Sequence, residues 1–167
     1  MALTEHDDVM AGMRAGMRRM AQGVTLVSGI DAAGARCVMT ASSVTSVSME
    51  PPSLLVCVNK TASMYEMLSA RLPFCINVLP DGMQELSNLC AGAAEGEERF
   101  SLGDWRAAAD SGIPYLEDAE AAFFCRPVQS MLHGTHLICI ADLDAVRTAS
   151  GVPNPLLYAD GSYRRLL

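Results

Sequence analysis

The stretch spanning residues 40–60 constrains the fold more than any other part of the chain, because the proline pair Pro51-Pro52 divides it. Proline cannot donate a hydrogen bond within a central strand, so the pair predicts a turn. Small hydroxyl residues dominate before the turn, and residues 53–58 after it form an apolar run typical of a strand buried on both faces. Small side chains let a ligand approach the backbone closely. The stretch is therefore either a ligand-binding surface or a polar strand edge.

The chain after Gly23 has the pattern of β-strands joined by short turns. Residues 24–27 and 36–40 predict a hairpin, and the short turn at residues 133–135 predicts a second hairpin between two long strands. Further strands are predicted at 53–58, 74–79, 119–131, 136–147 and 156–159. Seven or so strands with added helices favour a closed or nearly closed antiparallel barrel, in a single domain covering residues 1–167. No Gly-x-Gly-x-x-Gly follows a strand, so any nicotinamide is bound without a Rossmann fingerprint.

Helices are predicted at the edges of this barrel. Residues 4–22 form an amphipathic pattern with Met10, Met13, Met17 and Met20 on one face, which we expect to pack on the sheet or on a second subunit. Thr4 with Asp7 resembles a capping box, and Gly23 would end the helix. Shorter helices are predicted at 63–70 and after a capping box formed by Asp81 and Gln84. Residues 91–98 are predicted to form a surface loop.

Charge and hydropathy exclude several classes of function. The net charge of −7 argues against a general nucleic-acid binder, which would present a basic face. No apolar run reaches the roughly 18 residues that span a bilayer, and the first residues are acidic, unlike a secretory signal. We therefore expect a cytoplasmic protein that binds neither nucleic acid nor a membrane.

The residues of common catalytic sites are missing from this sequence. The six cysteines include no Cys-x-x-Cys pair, and they are expected to be buried free thiols rather than metal ligands. The pair His133 and His136 lacks further ligands nearby, so no metal site is predicted. No Gly-x-Ser-x-Gly elbow and no carboxylate dyad is present. This pattern favours a reaction in which a bound cofactor supplies the chemistry and the protein positions it.

Lys60, Thr61 and Ser63 stand where a predicted buried strand meets a predicted helix. A helix start with a lysine beside it is suited to a phosphate group. In the alternative interpretation, Ser63 only caps the helix and Lys60 is solvated.

His136 is either an imidazole at the mouth of a pocket or an ordinary turn histidine.

Several segments, taken in order, resemble the short-chain flavin reductases, the small components of two-component flavin monooxygenases. The matching segments are 23–27 (GVTLV), 39–48 (MTASSVTSVS), 51–58 (PPSLLVCV), 74–79 (FCINVL), 98–100 (ERF), 134–136 (GTH) and 163–164 (YR). The resemblance implies a split β-barrel of Greek-key type over residues 23–166, a homodimer, and a flavin near the subunit interface. It also implies reduction of FMN or FAD by NADH or NADPH, with reduced flavin passed to a separate oxygenase component.

The resemblance also implies roles for individual residues. The residues expected to line the flavin ring are Thr40, Ala41, Ser42 and Ser43, and those expected to border its other edge are Cys57, Val58 and Asn59. Lys60 and Ser63 are expected to hold the phosphate. Asn77 is expected to help shape the site. His136, Tyr163 and Arg164 are expected on the nicotinamide side, with Phe100 as a further candidate. Met64 departs from the family, since many relatives have a threonine there that offers the phosphate a hydroxyl. The rival functions are a non-catalytic FMN carrier or storage protein and a structural dimer with an empty pocket.

Overall fold

A computed structural model describes residues 8–166 and is mostly β, as predicted. The strands are β1 (Gln22–Gly23), β2 (Thr25–Ile30), β3 (Arg36–Ala41), β4 (Val44–Met49), β5 (Pro52–Asn59), β6 (Phe74–Val78), β7 (Trp105–Ala107), β8 (Pro114–Leu116), β9 (Ala121–His133), β10 (His136–Thr148), β11 (Leu157–Ala159) and β12 (Ser162–Arg164). The two predicted hairpins, β2–β3 and β9–β10, are confirmed. So is the turn at the proline pair, which separates β4 from β5.

Seven strands form one antiparallel sheet in the order β3-β2-β6-β9-β10-β5-β4. Its two edge strands, β3 and β4, are consecutive in the chain, and only Ser42 and Ser43 lie between them. Three peptide steps span at most about 11 Å. The sheet must therefore curl until its two edges meet at this point, which we call the β3–β4 corner (residues 40–43). Two smaller sheets, β1-β11-β12 and β7-β8, lie beside it.

The core lies on both sides of β2 and β3. Along β2, Val27 belongs to one buried cluster together with Val56, Leu68 and Phe74. The neighbouring residue Leu26 belongs to a second cluster that includes Leu79 and Leu116. Successive side chains of a strand point to opposite faces, so both faces of this part of the sheet are covered.

The prediction that β5 is buried on both faces is wrong. Val56 and Val58 point into the core, whereas Leu55 and Cys57 on the opposite face remain partly exposed. Leu55, Ile138 and Ile140 on this outer face of β5 and its neighbour β10 belong to none of the buried clusters of residues 8–166.

The first helix, α1, runs over Val9–Met17 and is shorter than predicted. Asp8 is its N-cap and accepts a hydrogen bond from the backbone N–H of Met10, and the helix ends well before Gly23. The predicted Thr4–Asp7 capping box lies outside the described residues. The methionine face does not pack on the sheet: Met10 and Met13 are more than half exposed. Contact with a second subunit stays a prediction for this face.

Two other helices are α2 (Tyr65–Ser69) and α3 (Gln84–Asn88). The capping box predicted for α3 is wrong, because Met83 is the N-cap and the side chains of Asp81 and Gln84 bond to each other instead. The surface position predicted for residues 91–98 is confirmed, since all of them but Ala94 are exposed. They are not an irregular loop, however, because a π-helical turn at Leu89–Ala93 and a 3₁₀ turn at Gly96–Phe100 occupy most of the segment. None of the described helices is long and apolar enough to cross a membrane.

Candidate functional site

The β3–β4 corner forms one wall of a cavity of about 540 Å³. We call it the first cavity. Its other walls come from the end of β5, the turn before α2, the start of β10 and the helical turns at 89–100. The residues that line it are Met39, Thr40, Ala41, Ser42, Ser43, Cys57, Asn59, Thr61, Ala62, Ser63, Cys90, Ala91, Gly92, Arg99 and His136. Eight of the site residues predicted from the sequence thus line one cavity, namely Thr40, Ala41, Ser42, Ser43, Cys57, Asn59, Ser63 and His136.

Hydrogen bonds hold the corner in place. The hydroxyl of Thr25 donates to the carbonyl oxygen of Ala41 at 2.7 Å, and that of Thr40 donates to the carbonyl oxygen of Ser87 at 2.6 Å. Ser43 Oγ donates to the carbonyl oxygen of Cys57 at 2.7 Å. The N–H groups of Ser42 and Ser43 have no acceptor within residues 8–166. The corner therefore presents a fixed surface with two available backbone donors.

A turn after β5 forms the opposite wall. Asn59 Oδ1 accepts hydrogen bonds from the backbone N–H and the hydroxyl of Thr61, at 3.0 and 3.1 Å, which is the geometry of an Asx-turn. His136 pairs with Asn59 across the β5–β10 ladder, so its exposed ring stands at the edge of the same cavity. Its Nδ1 lies 2.9 Å from the hydroxyl of Thr135.

Arg99 closes one end of the first cavity. Its Nε donates to the carbonyl oxygen of Ala94 at 2.8 Å, and its Nη1 donates to the carbonyl oxygen of Val38 at 2.9 Å and to Ser63 Oγ at 2.7 Å. These bonds tie the helical turns at 89–100 to β3 and to the turn before α2. Gly92, with φ of 122°, supplies the backbone bend that brings this segment over the cavity.

The charge inside the first cavity is opposite to that of the whole protein. Arg99 is the only permanent cation among the lining residues, and no carboxylate lines the cavity. The nearby carboxylate of Glu97 is bonded to Arg36 instead. Burial raises the pKa of the Cys90 thiol to about 11, a rise that nearby Arg99 partly opposes, so this lining group stays neutral at pH 7. The cavity suits an anionic ligand.

A second cavity of about 550 Å³ adjoins the first and shares Thr40, Ala41, Ser42 and Ala91 with it. Tyr163 and Tyr158 form part of its wall, with their rings packed edge to face and their centroids 5.4 Å apart. The hydroxyl of Tyr163 donates to Asn88 Oδ1 at 2.7 Å and lies 2.9 Å from Ser87 Oγ. The β3–β4 corner thus borders both cavities, and its Ser42 also lines a third cavity of about 600 Å³ beside the methionines of α1.

Five predicted site residues lie outside the first cavity and outside the second. Val58 is fully buried in the core, and Phe100 is buried against Trp105 beneath the guanidinium of Arg36. The amide of Asn77 is also fully buried, with its bonding groups used inside the fold. Lys60 and Arg164 are exposed and line neither cavity. The contacts with a ligand that were predicted for these five residues have no direct geometric support and stay predictions.

Arg99 lines the first cavity but is not among the site residues expected from the sequence, whereas Lys60, which was expected at the phosphate, does not line it. Arg99 belongs to the matching segment 98–100, but only Phe100 was taken from it as a candidate. Arg99 follows Glu95, Glu97 and Glu98, and a single basic residue after three acidic ones was a sequence feature that could have marked it as a candidate. Met64 is fully buried in the core, so its side chain does not face the cavity. Ser63 does not cap α2, because Met64 is the N-cap.

The combined geometry suits a flat, anionic organic ligand. A rigid wall with backbone donors can support an extended ring system, and Arg99 with Ser63 can bind a negative group at one end. Within residues 8–166, no cluster of three His, Cys, Asp or Glu side chains has the arrangement of a metal site.

Comparison with known proteins gives consistent matches over nearly the whole chain. Residues 17–167 match the model of the flavin reductase like domain family. The FMN reductase (NADH) RutF of Variovorax paradoxus is 40% identical over 156 residues, which cover 93% of this chain and 85% of the relative. The reductase component of the FADH(2)-dependent resorcinol hydroxylase of a Rhizobium species is 39% identical over 158 residues, covering 94% and 87%.

Among solved structures, the NADH:FAD oxidoreductase of Streptomyces globisporus, in complex with NAD and FAD fragments, superposes with a TM-score of 0.88. It is 27% identical to this chain, and the match covers 99% of this chain and 98% of that one.

Proposed function

Because this chain belongs to the family of flavin reductase-like domains, we propose that it is an NADH-dependent flavin reductase that reduces FMN. The overall reaction is NADH + FMN + H⁺ → NAD⁺ + FMNH₂, so one hydride and one proton are consumed for each flavin reduced. Several relatives at about 40% identity are named FMN reductase (NADH), whereas one is the reductase component of an FADH(2)-dependent hydroxylase. The more numerous name favours NADH and FMN as the pair of substrates.

The observation that carries the proposal is the shape and charge of the first cavity. It combines a wall of small residues with available backbone donors, Ser42 and Ser43, and a single cation, Arg99, at one end. A flavin mononucleotide has a flat ring at one end and a phosphate at the other. The residues present therefore fit this substrate.

When bound, the flavin supplies a ring nitrogen, N5, that accepts a hydride from C4 of the nicotinamide. The protein has to hold the two reacting atoms about 3–3.5 Å apart and exclude water, which lowers the barrier by several kcal/mol. No general base is needed for this transfer. The first cavity has no carboxylate among its lining residues, which is compatible with a transfer that needs no general base.

We assign the roles of the lining residues accordingly. The N–H groups of Ser42 and Ser43 donate to the flavin ring and stabilise the negative charge that grows on it during reduction. Cys57 and Asn59 border the ring from the opposite wall. His136, at the cavity edge, and Tyr163, in the second cavity, lie on the side where the nicotinamide enters.

We further propose a split β-barrel of Greek-key type and a homodimer. The two-residue corner forces the edges of the main sheet together, which favours a barrel that is open along part of its seam. The outer face of β5 and β10 supplies the dimer surface, since Leu55, Ile138 and Ile140 lie there, outside the buried clusters of residues 8–166. Cys57 shares this face, so the flavin would lie near the interface.

The reduced flavin is proposed to serve a separate oxygenase component. One relative is the reductase component of a resorcinol hydroxylase that depends on FADH₂. A structural neighbour at 30% identity is the flavin reductase component of a two-component tryptophan halogenase. Both names describe a reductase that works for another enzyme.

Absorbance at 340 nm tests the proposed activity directly. Purified protein, NADH and FMN are mixed in air, with FAD and NADPH as alternative substrates. We expect NADH oxidation that requires both protein and flavin. Failure to oxidise either nicotinamide in the presence of either flavin would overturn the proposal, and a yellow protein without turnover would indicate a flavin carrier instead.

A further inference from the structure

We propose that Asn88 and Ser87, at the end of α3, are positioning residues for hydride transfer, because they hold the ring of Tyr163 in place as a wall of the second cavity. The inference rests on the proposed function and deepens it by naming residues that set where the nicotinamide side of the site lies. Neither side chain was a candidate in the sequence.

The first step of the argument is the hydroxyl of Tyr163. It donates to Asn88 Oδ1 at 2.7 Å, and Ser87 Oγ lies 2.9 Å from the same phenolic oxygen. A phenolic hydroxyl donates one hydrogen bond and accepts others, so both contacts form at once. The outer end of the ring is therefore bonded to a helix 75 positions away in the chain.

The second step is the support that the ring has without these bonds. Tyr163 belongs to β12, a strand of three residues at the edge of the small sheet β1-β11-β12. Its ring is partly exposed and packs edge to face on Tyr158, which is itself exposed. A short edge strand and one exposed neighbour leave the ring free to shift, so the hydroxyl contacts with α3 are its firmest attachment.

The third step is the position of α3 itself. Leu86 belongs to a buried core cluster, and Ser87 is fully buried, so the end of this helix is fixed to the core. The carbonyl oxygen of Ser87 also accepts the hydrogen bond from the hydroxyl of Thr40 at 2.6 Å. Ser87 therefore contacts both the β3–β4 corner and Tyr163, and it fixes the walls of the two cavities relative to each other.

The fourth step connects this link to the reaction. Hydride transfer requires the reacting atoms to be about 3–3.5 Å apart, and a misplacement of about 1 Å can slow a reaction by about 100-fold. In the proposed function the flavin lies against the corner, and the nicotinamide enters on the side of Tyr163. Residues that fix the separation of these two walls should therefore affect the rate of transfer more than the affinity for FMN.

A double-mutant cycle between Asn88 and Tyr163 tests the inference. Asn88 is exposed, so its replacement should leave the fold intact. In Asn88→Ala we expect the stopped-flow rate of flavin reduction to fall about tenfold, the size of one lost hydrogen bond, with the dissociation constant of FMN within about twofold of the wild type. Tyr163→Phe should behave alike. The double variant should be no more than about twofold slower than Tyr163→Phe, because Asn88 acts through that hydroxyl.

Three further variants complete the comparison. Asn88→Asp keeps the acceptor oxygen and should stay within about threefold of the wild-type rate. Asn154→Ala, at an exposed asparagine that lines neither cavity, should keep the wild-type rate. Ser87→Ala removes one contact with Tyr163 but keeps the carbonyl that Thr40 uses. It should lower the rate in the wild-type background and have no further effect in Tyr163→Phe.

Nuclear magnetic resonance of the tyrosine rings gives a readout that needs neither flavin nor turnover. The chain has four tyrosines, and the rings of Tyr158 and Tyr163 shift each other's signals because their centroids are 5.4 Å apart. In Asn88→Ala these two sets of signals should move towards the values of a free ring. Tyr65 and Tyr115 should keep their signals, and Asn88→Asp should restore the wild-type spectrum.

Three results would overturn the inference. One is additive effects of Asn88→Ala and Tyr163→Phe on the rate, which would mean that Asn88 acts independently of the ring. Another is a loss of FMN binding in Asn88→Ala that accounts for its slower turnover. The third is an unchanged set of Tyr158 and Tyr163 signals in that variant. If the wild type oxidises no NADH with either flavin, the proposed function fails instead, and the tyrosine signals still decide whether Asn88 positions the ring.

Discussion

The side-chain oxygen of Asn77 accepts a hydrogen bond from the backbone N–H of Leu116 at 2.8 Å, which links β6 of the main sheet to β8 of the small one. The amide nitrogen of Asn77 donates to the carbonyl oxygen of Leu26 and to Ser28 Oγ at 3.2 and 3.0 Å. The side chain is fully buried. Asn77 therefore uses its side-chain hydrogen-bonding groups to join parts of the fold, and its expected role in shaping the site stays a prediction.

Replacing Asn77 with Ala should destabilise the protein strongly. The change leaves the N–H of Leu116 buried without an acceptor, at a cost of about 2–4 kcal/mol in the free energy of unfolding when the lost donors are included. Urea denaturation measures this difference. The exposed Asn154→Ala variant should change stability by less than about 0.5 kcal/mol. A stable Asn77→Ala protein with a raised KM for FMN would show that Asn77 acts at the site instead.

Enlarging Ser42 should block the substrate without unfolding the protein. Ser42 is exposed and lines both cavities, so the indole of Ser42→Trp would occupy the space of the flavin ring. We expect kcat/KM for FMN to fall by about 100-fold or more, which corresponds to roughly 2.7 kcal/mol. Ser150→Trp, at another exposed serine, is the matched control. Equal activity of the two variants would mean that the flavin does not bind against the corner.

Removing the His136 ring should slow turnover more than it weakens flavin binding. His136 stands at the edge of the first cavity, on the side proposed for the nicotinamide. In His136→Ala we expect kcat to fall by about tenfold, of the order of one lost hydrogen bond to the reacting complex, with the dissociation constant of FMN nearly unchanged. Stopped-flow reduction and flavin titration separate the two quantities. Selective loss of FMN binding would place His136 on the flavin side.

A charge on the outer face of β10 should separate the proposed dimer. Ile138 lies opposite Cys57 and Met131 in neighbouring strands, outside the buried clusters of residues 8–166. Burying an unpaired carboxylate in an interface costs several kcal/mol, so Ile138→Asp should shift the mass in light scattering from dimer to monomer. Val152→Asp, in an exposed loop, should remain dimeric. A monomeric wild type would contradict the proposed interface.

The buried thiols should make the protein less stable above pH 9. Burial raises the pKa of Cys139 from 9.0 to about 11, although Arg71 partly opposes the rise. The unfolded thiol therefore ionises first, and the stability that is present below pH 9 is lost as the pH rises towards 11. From pH 8 to pH 10 this one group should cost about 1 kcal/mol. Urea denaturation with reductant present should show a smaller fall in Cys139→Ala; an identical fall would contradict the assignment.

The strands were predictable because their signals are local. The hairpins β2–β3 and β9–β10 follow from alternating apolar residues on either side of short turns, and the proline pair marks the turn before β5. The helix ends were not predictable, because they depend on partners elsewhere. Asp81 and Gln84 have the spacing of a capping box, yet their side chains bond to each other and leave the helix end uncapped.

The sequence predicted the site residues that lie on neighbouring strands. It did not predict the residues that segments distant in the chain bring to the site. Residues 40–43 and Cys57 belong to two neighbouring strands and were found together. Arg99 reaches Val38, 61 positions away, and no local pattern marks that contact. Lys60 was expected at the phosphate because it stands, like Ser63, between a buried strand and a helix; its side chain lines neither cavity, and its contact with a ligand stays a prediction.

The two-residue link between β3 and β4 has a consequence for the tolerance of this protein to chain rearrangement. Surface loops usually accept insertions and new chain ends, and the exposed turn at Gly34, which lines neither cavity, is such a place. At the corner, however, Ser42 and Ser43 are the covalent tether that keeps the two sheet edges within reach of each other. A circular permutant opened at Gly34 should keep its activity, whereas one opened between Ser42 and Ser43 should lose both the substrate surface and the curvature of the sheet.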